Sequence, residues 1–267
     1  MGRLVGLYLR LVEARVRAQM QYRVSFVLEI VGNFLLGFID FLAIAVIFVH
    51  LPQLGAWSLG EVAFLYGTSY LAFKLADMAV GHFDALGQQV QSGQLDTLLV
   101  RPLGALYQVI TVDFSLRHVG GLLQGAVVLG LALTRVAIDW TPGRVLVLAS
   151  MPVGGALIFA SVWIAGHTLT FWTVRGGEAV NAVTYGGNML TTYPLEIFGP
   201  WLRRLLAFVL PLAFVNYLPA LYILGKPDPF GLPPVLRFVS PLVAVLTLLV
   251  AGRIWTAGLR RYRSTGS

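Results

Sequence analysis

The chain has 267 residues, 57% hydrophobic and 12% charged, with no cysteine and a formal net charge of +7. With a mean hydropathy of +0.79, this composition excludes a soluble globular domain, and the missing cysteine excludes disulfides and thiolate metal sites. The charge does not point to nucleic acid, because the arginines gather at the termini and beside apolar runs, as the positive-inside rule expects.

Those runs are continuous and approach or exceed the roughly 20 residues needed to cross a bilayer, so they read as helices rather than barrel strands. Residues 1–267 read as one transmembrane domain with about six spans. Residues 3–23 are basic and amphipathic, with Leu4, Leu7, Tyr8, Leu11 and Val12 at helical spacing and Arg3, Arg10 and Arg17 seven apart. They suit a helix lying on an anionic inner leaflet, or a solvated lead-in to the first span. That span, near 25–49, is too long for a signal-peptide core and is read as a retained anchor. It contains Asp40, which is expected to face a partner helix or a cavity, because a membrane-buried carboxylate is costly unless paired or wet. Loop 51–58 lacks Lys and Arg and should be external. In the second span, near 59–79, Lys74 and Asp77 share a face and can pair. His82 and Asp84 follow at the inner end. A structural ion pair is the expected role here, since a proton relay needs a longer chain of titratable groups than this span offers.

The polar interval from Gln91 to Tyr107 divides the chain, and a cytosolic segment is expected over 85–106. It holds Gly93, Asp96, Arg101, Pro102 and Gly104, and Pro102 predicts a corner at Arg101. Leu95, Leu98 and Leu99 lie at helical spacing and could pack a short face against another surface. On residue chemistry alone the interval reads equally well as a solvated loop.

A third span follows near 107–138, its apolar part 119–138, with Asp113 and Arg117 at its inner end and a small-residue contact motif at Gly121–Gly125. An outer loop with Trp140 as an interfacial anchor leads to a fourth span near 145–172, where His167 is expected to be a hydrogen-bonded packing residue. Two readings then compete. Hydropathy favours 205–224 as the fifth span, but Pro194, Pro200, Pro211 and Pro219 interrupt that region. The alternative is 179–198, a more polar stretch carrying Asn181, Thr184, Tyr185, Asn188, Thr191 and Thr192. A Pro- and Gly-rich loop, Lys226–Pro234, precedes the last span near 235–255 and a basic tail with Arg260, Arg261 and Arg263.

Two stretches carry a resemblance. The run from Gly93 to Leu103, GQLDTLLVRPL, resembles the segment after the second helix in permeases of type-two ATP-binding-cassette (ABC) exporters. The run from Tyr193 to Ala220, with Pro194, Pro200, Pro211, Asn216 and Pro219, is similar to the pattern before their last helix. The resemblance implies an all-α integral membrane permease with an N-terminal interfacial helix. It favours 179–198 as the fifth span, with 200–224 as outer re-entrant helices. It implies ATPase coupling through Gln91, Gly93, Leu95, Asp96, Leu98, Leu99, Arg101 and Pro102. It also implies cytosolic ABC ATPase subunits that bind ATP and Mg, a second permease copy or relative, both termini cytosolic, and outward transport. No phosphate loop, H-E-x-x-H or nucleophile elbow occurs in this chain, so no cofactor and no enzymatic activity is expected in it. The alternative is a proton- or sodium-driven transporter using Asp40, Lys74, Asp77 and Asp113, although no inverted repeat is visible. An integral membrane enzyme would need clustered catalytic groups, and none are evident.

Overall fold

The structure is a computed structural model that describes residues 6, 13, 17, 20–101, 103–112, 116–173, 176–228, 231 and 233–262. Most of the expected N-terminal helix, along with Pro102, Asp113, Arg175 and Arg263, lies outside the described residues. The α-helices are α1 (Arg23–His50), α2 (Leu59–Val80), α3 (Leu86–Gln91), α4 (Gln94–Leu99), α5 (Ala105–Val112), α6 (Val119–Arg135), α7 (Pro142–Thr168), α8 (Gly176–Thr191), α9 (Pro200–Arg204), α10 (Tyr217–Ile223) and α11 (Ser240–Arg261). Among the described residues the extended pairing is one bridge, between Leu54 and Trp57.

Local chemistry explains where the long helices begin. Ser58 and Glu61 form a capping box at the start of α2, with the Glu61 carboxylate accepting from the Ser58 N–H at 2.8 Å. Thr141 caps α7, and Pro142 occupies its first turn, where a missing N–H costs nothing. Among the described residues four stretches are long and apolar enough to cross a membrane: Arg23–His50, Leu116–Arg135, Pro142–Phe171 and Ser240–Arg261. The pair Pro200–Val209 and Leu212–Ile223 is bent by 76° and makes a fifth if taken as one broken span. Helix α2 is long enough but more polar, and most of it is enclosed, packed against α6, α7 and α8. Its Thr68, Ser69 and Asp77 are buried in protein and not in lipid.

The bounds differ from the sequence reading in two places. Within 107–138 the described elements are α5, a short turn at Leu116–His118, and α6, which ends at Arg135; residues 113–115 lie outside the described residues. The last helix begins at Ser240, because Pro234–Arg237 forms a separate turn, and it runs on through the basic residues to Arg261. In the contested region the chain forms α8, then a turn at Leu195–Ile197, then the bent pair.

Small residues let the helices approach closely, as expected where apolar burial does not drive helix association. A Cβ on Gly67 of α2 would lie 2.8 Å from the Leu129 backbone nitrogen of α6. Gly121 and Gly125 face Lys74 and Leu71 of α2, and a Cβ on Gly120 would strike the Ile30 carbonyl of α1. Behind this seam Phe73 stacks on Trp163, with ring centroids 5.3 Å apart.

Candidate functional site

Helices α3 and α4 form a short hairpin at the end of the bundle where α2 stops. Gly93 makes the reversal in the left-handed region, at φ +69°, which glycine adopts without strain. The apolar residues of α4 and its C-cap, Val100, divide. Leu95 and Leu98 turn inward, 0% and 9% exposed, while Leu99 and Val100 face outward at 39% and 85%. Arg101 and Gln91 are also exposed. Gln108 of α5 is buried and donates to the carbonyls of Leu98 at 2.8 Å and Leu103 at 2.7 Å. It adds a second donor to the Leu98 carbonyl, which the Arg101 N–H reaches at 3.3 Å, and so ties the end of α4 and the corner at Arg101 to α5. The far end of α11 closes over the hairpin through the aromatic series Phe83, Trp255, Phe171 and Tyr262, with neighbouring centroids 5.4–5.7 Å apart. The Tyr262 hydroxyl is held above its ordinary pKa first by burial and then by the Asp96 carboxylate facing it.

Further into the bundle a cavity of about 300 Å³ opens between α1, α2 and the end of α8. Asp40 and Ile44 line it from α1, Tyr66 and Tyr70 from α2, Asn188 from α8, and Thr192 from just beyond the end of α8. The Tyr66 and Tyr70 rings stack at 5.3 Å. The Tyr66 hydroxyl donates to the Gly37 carbonyl at 2.8 Å, and Gln124 donates to the same oxygen at 3.0 Å. A Cβ on Gly37 would lie 2.6 Å from the Tyr70 hydroxyl, so only glycine admits that ring. A carboxylate, an amide and phenol groups within apolar walls can hold an amphiphile.

Polar joints surround the cavity. Towards the hairpin, Lys74 pairs with Asp77 at 3.3 Å, and His118 Nδ1 lies 3.1 Å from the same carboxylate. Asp84 accepts from Trp163 Nε1 at 2.6 Å and from the Tyr185 hydroxyl at 2.9 Å, and His167 Nε2 stands at 3.1 Å. Burial opposes the Asp84 charge, but these donors outweigh it and hold the carboxyl below its ordinary range. At the opposite end, Asn216 donates to the carbonyls of Leu65 at 2.9 Å and Thr191 at 2.7 Å, joining the bent pair to α2 and α8. Lys226 donates to the Ala56 carbonyl at 2.6 Å, meets Glu61 at 3.0 Å and lies over the Trp57 ring.

The residues singled out from sequence fall into three groups. Gln91, Gly93, Asp96, Leu99 and Arg101 are on the hairpin surface or its turn, whereas Leu95 and Leu98 are part of the chain's own core, because the inner face of α4 packs between α3 and α5. Asp40 and Asn188 meet in the cavity, and Lys74 and Asp77 are paired below it. The side-chain oxygens of Asn181 and Asn188 are buried without a hydrogen-bond partner among the described residues. Pro194 and Pro200 open the turn and α9, Pro211 stands at the 76° bend, and Pro219 lies in α10 beside Asn216. Sequence reasoning missed Tyr66, Tyr70, Gln108, Gln124 and Trp163. The two tyrosines are one turn apart, and each glutamine interrupts an apolar helix, which are the available signals.

No curated protein matches this chain. A family model described as ABC-2 family transporter protein matches residues 34–266, from the middle of α1 to beyond α11. That interval contains both the hairpin and the cavity. The chain therefore belongs to the ABC-2 transporter family, as a multi-pass membrane permease of the ABC type.

Proposed function

We propose that this permease exports an amphiphilic substrate, using ATP and Mg bound by separate cytosolic ATPase subunits, and works as a pair with a second permease. The observation that carries the reading is the hairpin, a rigidly rooted projection whose Leu99, Val100 and Arg101 face away from the fold. An apolar pair beside a guanidinium is a compact docking surface. Its root, Leu95 and Leu98, lies in the core, so a push on the tip moves the bundle. Closure of the ATPases on ATP would be the ligand-driven population shift, and rearrangement of the two permeases the rigid-body response. In this reading both termini and the hairpin are cytosolic, α1, α2, α6, α7, α8 and α11 cross the membrane, and the bent pair covers the outer side. The pathway runs through the cavity between α1, α2 and α8, where a second copy covers Asp40.

The test is co-purification of this chain with an ABC ATPase from its own genome in mild detergent. Stoichiometric ATPase supports the reading, and its absence in several detergents with nucleotide present defeats it. A proton- or sodium-driven mechanism is the second reading, favoured by Asp40 in the cavity and the Lys74–Asp77–His118 group beneath it. Transport that survives ATP removal and stops with an uncoupler would select it.

A further inference from the structure

The geometry points to Asp84 as a positioning residue that carries motion of the α3–α4 hairpin to the cavity-lining helix α8. The inference rests on the ATP-coupled reading above. Asp84 lies in the turn Gly81–Ala85, which leads directly into α3, so it moves with the root of the hairpin. Its carboxylate is divided between two elements. Oδ1 accepts from Trp163 Nε1 and faces His167 Nε2, both on α7, while Oδ2 accepts from the Tyr185 hydroxyl on α8.

The two helices are held differently. Helix α7 is wedged between α2 and α11 along much of its length, and Trp163 and His167 are fully buried. Helix α8 lies at the edge of the bundle, is only 16 residues long and leaves Tyr185 43% exposed. A displacement of Asp84 therefore strains bonds to a fixed helix and a free one, and the free one follows. Tyr185 is placed to deliver that movement. Asn188 and Met189 come one turn later and line the cavity. Bonds to an ionised acceptor are also the stronger kind, which suits a joint that must pull as well as locate.

Conservative packing does not account for this arrangement. The Tyr185 ring already packs edge-on against Phe73 and Trp163 at 5.5 and 5.4 Å, so its hydroxyl is not needed to bury the ring. Removing the hydroxyl alone isolates the link to α8 from the anchor on α7.

The sequence contains no cysteine, so Met189→Cys supplies a single thiol at a side chain that is 65% exposed. Its maleimide labelling rate is measured in the permease–ATPase complex in nanodiscs, with and without ATP, Mg and vanadate. The parent is expected to change rate by about tenfold with nucleotide, within the range that coupling between sites supplies. Adding Tyr185→Phe or Asp84→Asn is expected to cut this to about twofold or less, with the ATPase still bound, and Asp84→Glu to restore part of it. Trp163→Phe, which removes an anchor but leaves Tyr185 bonded, should lower thermal stability and keep most of the response. Retention of the full response in Tyr185→Phe overturns the proposal, and that variant decides alone if Asp84→Asn does not assemble. A complex that holds the ATPase but shows no nucleotide response at Met189→Cys also overturns it, leaving the ATPase partnership intact. If no ATPase associates at all, the ATP-coupled reading falls with it.

Discussion

Leu98 and Val100 are two residues apart on the hairpin and should fail in opposite ways. Leu98 is 9% exposed and packed in the core, whereas Val100 is 85% exposed. The hairpin lies beyond the apolar spans, so water is the reference state for Leu98 and the ordinary burial energy applies. Leu98→Ala removes buried methyl groups and leaves a partial void, at a cost of about 2–3 kcal/mol, the lower part of the range because the site is at the edge of the core. For a chain of this size that is a fall in Tm of about 5–10 °C. Val100→Asp touches almost nothing in the fold and should change stability by about 0.5 kcal/mol or less. If Val100 anchors the ATPase, a buried aspartate there weakens association by about tenfold or more. Thermal unfolding in detergent reads the first effect, and titration of labelled permease with ATPase reads the second. A stable Leu98→Ala that loses the ATPase, or a Val100→Asp that binds normally, would refute the division of α4 into a root and a tip.

Other variants test the joints. Asn216→Leu removes the side-chain amide that ties the Leu65 and Thr191 carbonyls together and should cost about 1–3 kcal/mol in thermal stability, an effect seen most clearly as faster protease cleavage of loop 226–234. Gly67→Leu cannot be fitted against Leu129 and should abolish monodisperse elution, while Gly177→Ala, with open space around it, should not. Lys226→Met removes a pair that is largely shielded from solvent, and its loss should be about 1 kcal/mol, recovered in part by Glu61→Gln in the same chain because no lone charge then remains. The folded-state pKa of Asp84 is depressed from 3.8. Its stabilising contribution is therefore complete above the unfolded value and lost only as pH falls through the folded one. The Tm gap between the parent and Asp84→Asn should stay constant from about pH 8 to pH 5 and close only in stronger acid.

What could be read from the sequence follows the range of the interactions involved. Helices α1, α2 and α7 are legible because a long apolar run is a local property, and so is the Ser or the Thr-Pro that starts α2 and α7. The short turn Leu116–His118 ahead of α6 is not legible, because hydropathy averaged over 107–138 hides it. The spacing of Leu95, Leu98 and Leu99 announces an apolar face, but the choice between core and surface depends on Gln108, which fastens the end of α4 from the next helix. The joints are further out of reach. Asp84 meets Trp163 and Tyr185, and Asn216 meets Leu65, all from distant parts of the chain. A lone aspartate or asparagine carries no sign of such a partner until the helices are placed.

The placement of charge then separates scaffold from pathway. In lipid, small residues and internal hydrogen bonds hold helices together, and an ionised group survives only if the protein answers it. Asp77 is answered by Lys74 and His118, Asp84 by three donors, and Glu61 by Lys226. Asp40 is different. Among the described residues it makes no hydrogen bond or ion pair, receives only the through-space attraction of Lys74, and faces the cavity with Tyr70 and Asn188. A carboxylate kept at that depth without a partner of its own is stable only when something outside the fold meets it, whether water, a second permease or cargo. Substituting Asp40→Asn should therefore leave Tm unchanged or raise it, while altering what the cavity accepts. A substantial loss of stability would instead make Asp40 one more strut of the scaffold.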